Sequence, residues 1–360
     1  MITYIFLNKT RLLLRIKSLI FLFALLFVTA CSENSNNPLA PEDTMSDITD
    51  PYKQNIKLGS GINLGNALEA PNEGDWGLFL KAEYFTAIKN AGFNSVRIPI
   101  RWSAHALASA PFTIDYIFFN RIDWAIEQAL SNDLAVIINI HHYIELMENP
   151  KAHKERFLSI WSQIAERYRT YPSDLFFEVL NEPNNLLTAD LWNQFLSEAV
   201  AEIRKTNPNR TLLVGTANWG GIGGLKDLVL PDDNNIIVSF HYYSPFRFTH
   251  QGAEWVDGSD AWLGTRWTNS TSEREAILND FNSAILWGNE NNVPLNVGEF
   301  GSYNKADINS RYLWTIFVSQ LATVNNISWH YWEFGAGFGV YDVNTNQWHE
   351  KLLSALISLP

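Results

Sequence analysis

Two glutamates stand where short apolar runs stop: Glu182 in "VLNEPN" and Glu299 in "VGEFGSY". A carboxyl at the end of a segment built for burial is costly unless partners or a task hold it there. Two such carboxyls facing one another can divide the work of cleaving an acetal. One gives a proton to the departing oxygen while the other attacks or activates water. An ionised carboxylate would disfavour a second negative charge nearby, so one of the two is expected to begin protonated. The same run carries Glu178, which reads as an internal partner for a basic residue.

These side chains need rigid mounts, and the chain supplies eight apolar runs: 61–65, 95–100, 135–140, 175–180, 211–216, 235–240, 295–299 and 328–332. Between them lie amphipathic stretches, such as Phe157, Ile160, Trp161, Ile164 and Tyr168 at helical spacing. Alternating strands and helices predict an α/β protein with a parallel sheet, and eight units predict a closed (β/α)8 TIM barrel. An open doubly wound sheet lacks support, because no G-x-G-x-x-G follows the first run. In such barrels chemistry gathers at the C-terminal strand ends. Polar and aromatic residues accumulate there: Arg97, His141, His142, Asn181, His241, Tyr243, Trp332 and Glu333.

The chain has 360 residues and a formal net charge of −12, which argues against a nucleic-acid partner. Its four N-terminal cations, Lys9, Arg11, Arg15 and Lys17, precede the apolar run "SLIFLFALLFVTA" and the lone cysteine, Cys31. A basic start and a short apolar core predict an export signal, the core being shorter than the ~20 residues a spanning helix needs. "VTAC" resembles a bacterial lipobox. That resemblance implies residues 1–31 as a lipoprotein signal whose cysteine is lipidated, anchoring the protein to the cell envelope, at the outer membrane. Residues 32–51, polar and with several prolines, read as a flexible tether, and 52–360 as one catalytic domain.

The segments around both glutamates resemble the acid/base and nucleophile motifs of glycoside hydrolase family 5, the cellulase family. "GINLGNALEAP", "GFNSVRIPIRW", "INIHHY", "SFHYYSPFRFTHQG" and "HYWEFGAGFGVYD" resemble further family segments in the family's order. The likeness spans about residues 58–343. It implies Glu182 as proton donor, Glu299 as nucleophile, and Asn181 as the holder of the sugar 2-hydroxyl. It implies Arg97, His141, His241 and Tyr243 as the polar shell, with Trp332 as the platform under the sugar. The implied activity is retaining endo-β-1,4-glucan hydrolysis by a monomer without cofactor or metal; xyloglucan, mannan and mixed-linkage glucan are alternative substrates.

The residues add to this expectation. A β-1,4-glucan exposes C–H faces that stack on indoles. After Trp332 the candidates are Trp76, Trp219, Trp255, Trp262 and Trp267, with the aromatic segment 242–270 as a cleft wall. Arg97 would keep Glu299 ionised and Tyr243 could hydrogen-bond it, while Glu69, His142 and Glu333 are candidates for sugar hydroxyls. A metal-dependent hydrolase using His141, His142 and His241 is disfavoured, because adjacent histidines on a strand point to opposite faces. No G-x-S-x-G supports a serine hydrolase. A non-catalytic sugar-binding lipoprotein should have lost a carboxylate, and both are present.

Overall fold

Runs such as "AVIIN" and "LFFE" are buried on both faces, the condition under which strands pair in parallel beneath a layer of helices. A computed structural model describes residues 49–357; the export segment, Cys31 and nearly all of the tether lie outside the described residues. Eight strands close in sequence order: β1 (Ser60–Asn63), β2 (Ser95–Ile98), β3 (Ala135–Asn139), β4 (Leu175–Glu178), β5 (Leu212–Gly215), β6 (Ile236–Tyr242), β7 (Leu295–Phe300) and β8 (Ser328–Tyr331). β8 returns to pair with β1, so the expected closed barrel is present.

The helices fit their sequence signals. In Pro150–Arg167, proline occupies the first turn and Phe157, Ile160, Trp161 and Ile164 are buried against the barrel. Thr271–Asn291 opens on a capping box between Ser270 and Glu273 and stops at Asn292, whose left-handed conformation caps it. One connection departs from the expected alternation. Between β5 and β6 the chain forms only the six-residue 3-10 turn Ile222–Asp227, where the other strand connections carry a full helix.

The helix Pro51–Leu58, capped by Asp50, closes the N-terminal end of the barrel. Leu58 joins Ala135, Ile137, Phe176, Leu213 and Ile237 in an apolar cluster from β3 to β6. On the other side the interior is polar but satisfied. Ser328 Oγ donates to Asn55 Oδ1 at 2.6 Å, and Asn296 Nδ2 donates to Ser328 Oγ at 2.7 Å. Ser95 Oγ donates to Leu58 O, so it accepts from His330 Nε2. Burial, reinforced by Arg97, lowers the His330 pKa to about 3, so the ring is a neutral member of this network.

Strand alternation sends Asn63, Arg97, Asn139, His141, Glu178, His241 and Tyr243 toward the axis, in phase with residues already inside. Glu299 is out of phase: Asn296 bonds to the interior Ser239, so residue 299 should point away. The register repairs this. Phe240 pairs with Val297 but His241 pairs with Glu299, leaving Gly298 as an extra residue in β7. Such a bulge re-aims the following side chain. It needs glycine, since a Cβ at 298 would lie 2.5 Å from Ser239 Oγ.

Candidate active site

Arg97 is completely buried between β1, β4 and β7. Its Nε and Nη2 donate to the two oxygens of Glu178 at 2.5 and 2.8 Å. Nη1 reaches Asn63 Oδ1 and Glu299 Oε1, both at 2.7 Å, and Nη2 also reaches Asn181 Oδ1 at 2.8 Å. A guanidinium has five N–H donors, and here five acceptors meet it. Glu178 is thus the internal counterion that the sequence suggested. Burial alone would raise its pKa, but Arg97 holds it below the ordinary carboxylate range.

Glu299 receives a second donor, the Tyr243 hydroxyl, at 3.0 Å from Oε2. Burial lifts the Glu299 pKa above its ordinary value; His241 and Arg97 pull it back, and the nearby Glu182 adds to the rise. Burial, together with both glutamates, drives the Tyr243 pKa well above the usual phenol value, so Tyr243 stays a neutral donor. His241 lies between the two carboxyls, its Nδ1 at 2.7 Å from Glu182 Oε1 and 3.5 Å from Glu299 Oε2. Burial opposes charge on this ring, but Glu299 and the bond to Glu182 outweigh it and raise the pKa.

Glu182 sits past the end of β4 with φ +44°, a left-handed conformation rarely adopted by a long side chain. The turn after β5 supports it. Asn218, Trp219 and Gly220 all have positive φ, and Trp219 N donates to Pro183 O at 3.2 Å. Gly220 lets this turn pass close to His241 and Glu182, with a notional Cβ 3.3 and 3.4 Å from their Cγ atoms. Trp219 is left 64 % exposed beside Glu182. One ligating atom each from Glu182, His241 and Glu299 lies within 4.8 Å of the others. That spacing could suit a metal, but the Arg97 cation already on Glu299 would repel a second positive charge. The donor set is that of carboxylates held by hydrogen bonds.

The other expected residues fall on one rim. Trp332 stacks parallel to His141, ring centroids 6.0 Å apart. Asn139 Oδ1 accepts from Ile100 N, so its amide nitrogen donates to His141 Nδ1 and the ring proton is left on Nε2. The expectation that His141 and His142 face opposite ways fails. Their rings are 4.5 Å apart, because both lie beyond the end of β3 and His142 turns back with φ +48°. His142 also meets the edge of Trp76, and burial lowers its pKa to about 4.

Glu69 and Glu333 are buried and share Asn66, whose backbone N–H bonds Glu69 and whose side chain donates to Glu333 at 2.6 Å. Burial raises their pKa values to about 7 and about 8; Glu299 adds to both rises, and Glu69 adds to that of Glu333. Trp255 is exposed, whereas Trp267 is core, only 1 % exposed, and is no platform. Asn63, Asn66 and Asn139 went unremarked in the sequence. An asparagine inside an apolar strand is the signal that would have found Asn63 and Asn139, since a buried amide requires partners.

The model of the cellulase family, glycosyl hydrolase family 5, matches residues 59–337. The chain belongs to that family. It is 34 % identical over 343 residues to Endoglucanase H of Acetivibrio thermocellus, covering 91 % of this chain and 37 % of that one. It is 30 % identical to Endoglucanase B of Clostridium cellulovorans, covering 91 % and 80 % respectively. The chain therefore spans little more than a third of the first relative's length. Among solved structures, Thermotoga maritima Cel5A in complex with mannotriose is 53 % identical, with a TM-score of 0.85 over 86 % of this chain and all of Cel5A. A cellobiose complex of Cel5A matches equally well.

The Tyr243 contact yields a signed prediction. Replacing Tyr243 with Phe removes a donor to the Glu299 carboxylate, so the Glu299 pKa should rise further. The acid limb of the kcat/KM profile, where Glu299 protonates, should move to higher pH. An acid limb that stays in place or moves down would contradict the assignment.

Proposed function

We propose that the protein is a retaining endo-β-1,4-glucanase. The observation that carries this reading is the pair Glu182 and Glu299, whose oxygens approach within 4.8 Å across His241. Retaining glycosidases hold their carboxyls about 5–5.5 Å apart, and inverting ones about 6.5–9.5 Å apart to admit a water. Glu299, gripped by Arg97 and Tyr243, attacks the anomeric carbon as Glu182 protonates the departing glycosidic oxygen. The C–O bond to the leaving sugar breaks and an ester to Glu299 forms. Glu182 then takes a proton from water as that water attacks the same carbon, releasing Glu299 and a sugar of retained configuration.

Each surrounding group has a part in this sequence. Arg97 and Tyr243 fix one face of the nucleophile, leaving its attack direction set before substrate arrives. His241 bonds to Glu182 and keeps its carboxyl turned toward Glu299. Trp332, braced by His141, offers an indole face to a sugar ring, and the His141 Nε2 proton is available to a hydroxyl. β-Glucan is favoured as substrate because the relatives at 34 % and 30 % identity are named endoglucanases. Mannan is the second reading, supported by the mannotriose complex of Cel5A.

Replacing Glu299 with Gln should lower kcat on the order of 10³-fold or more while leaving oligosaccharide binding. The unaltered enzyme, given carboxymethylcellulose, lichenan, xyloglucan and mannan, should yield mixed oligomers fastest from a β-1,4-glucan. Release of single sugars alone would overturn endo action.

We further propose that Cys31 carries the lipid that tethers the domain to the envelope, on the strength of "VTAC" after the apolar run. Labelled fatty acid should enter the full chain in a bacterial host and not its Cys31→Ser variant. Equal labelling of both would refute the anchor.

A further inference from the structure

After Phe334 every second residue is glycine as far as Gly339: Gly335, Gly337 and Gly339 in "FGAGFGV". Glycine adopts conformations that other residues avoid, so such a run does not fix its own path. Yet Phe338, between two of these glycines, donates its N–H to Glu333 Oε1 at 3.3 Å, the oxygen that Asn66 does not take. Groups outside the run hold this segment. On one side Asn304 N donates to Gly337 O at 2.9 Å. On the other, the Phe338 carbonyl accepts from two buried side chains, the Tyr331 hydroxyl and Arg311 Nη2, each at 2.9 Å.

Arg311 is a costly way to supply that donor. It is only 6 % exposed, forms no ion pair among the described residues, and its Nε meets no acceptor. It also lies in the first turns of the helix Ile308–Val324, near the end where the helix dipole disfavours a cation. The acid that caps this helix, Asp307, turns its oxygens to Asn309 N, Ser310 N and Ser310 Oγ instead. A residue that breaks several rules of stability together points to a functional constraint. We propose that Arg311 is a positioning residue for substrate binding. By fixing the Phe338 peptide it keeps the Glu333 carboxyl turned to receive a sugar hydroxyl. Asn66 holds the other oxygen of that carboxyl, and Tyr331 is the second support of the Phe338 carbonyl. This rests on the glucanase reading given above, with Glu333 as a partner of sugar hydroxyls.

A double-mutant cycle on p-nitrophenyl cellobioside tests the link. Arg311→Met keeps the apolar stem and removes the donors. It should raise KM about tenfold and change kcat less than about threefold. Arg311→Lys, which can still donate to the Phe338 carbonyl, should recover most of the loss. Tyr331→Phe keeps the ring in the core and should give a weaker form of the same effect, so the comparison survives if Arg311→Met folds poorly. In a Glu333→Ala background the carboxyl to be held is gone, and Arg311→Met should change KM by less than about twofold. A KM rise of equal size in both backgrounds would overturn the proposal, as would an unchanged KM in Arg311→Met and Tyr331→Phe alike. A Glu333→Ala enzyme with unaltered KM would remove Glu333 as a substrate partner, and the proposal with it. An unaltered enzyme that does not cleave the cellobioside or any β-glucan would instead remove the glucanase reading on which both stand.

Discussion

The structure depends on one buried cation. Arg97 occupies the barrel axis with no exposure, and each of its five N–H groups meets an acceptor from β1, β4, β7 or the turn after β4. A buried ion pair gains little stability over an apolar core, but removing one partner typically costs about 3–5 kcal/mol. Glu178 meets that requirement, which frees Glu299 to be held by the same guanidinium without being fully neutralised by it. Glu299 is thus positioned by a charge whose main counterion is another residue. Asn63 and Asn181 complete the set as neutral acceptors, so the cation leaves no donor unmet.

Function follows from where this arrangement places reactivity. Glu299 stays buried enough for its charge to be felt strongly, and Tyr243 and Arg97 direct it. Glu182 is held by a strained turn and by His241, on the opposite side of the gap. Both supports come from neighbouring strands of a closed barrel, which has no edge along which they could slip apart. Trp332, stacked on His141, and the exposed Trp219 near Glu182 present indole surface at the same end of the barrel. At the N-terminal end of the barrel the helix Pro51–Leu58 closes the interior, at the opposite end from these groups.

Much of this was legible in the chain. The eight runs marked the strands because burial on both faces demands continuous apolar sequence, and the polar residues that followed marked the catalytic end. Glu178 was recognisable as a counterion because it sits inside the apolar run 175–180. Other features depend on tertiary detail. The inward aim of Glu299 comes from a bulge at Gly298, which no alternation pattern reveals. His141 and His142 come together because a positive φ ends the strand's alternation. Trp267 is core rather than platform, and composition does not distinguish the two. The missing helix between β5 and β6 followed no clear punctuation, since "GGIGGLKDL" could be read as a loop before a helix.

The central claim is that Glu299 forms a bond to the sugar while Glu182 handles the proton. Incubating the enzyme with a 2-deoxy-2-fluoro-cellobioside carrying a good leaving group slows the second step and lets the intermediate accumulate. Mass spectrometry of peptides from that protein should place one fluorocellobiosyl group on Glu299. Attachment to another carboxyl, or no adduct together with products of inverted configuration, would contradict the account.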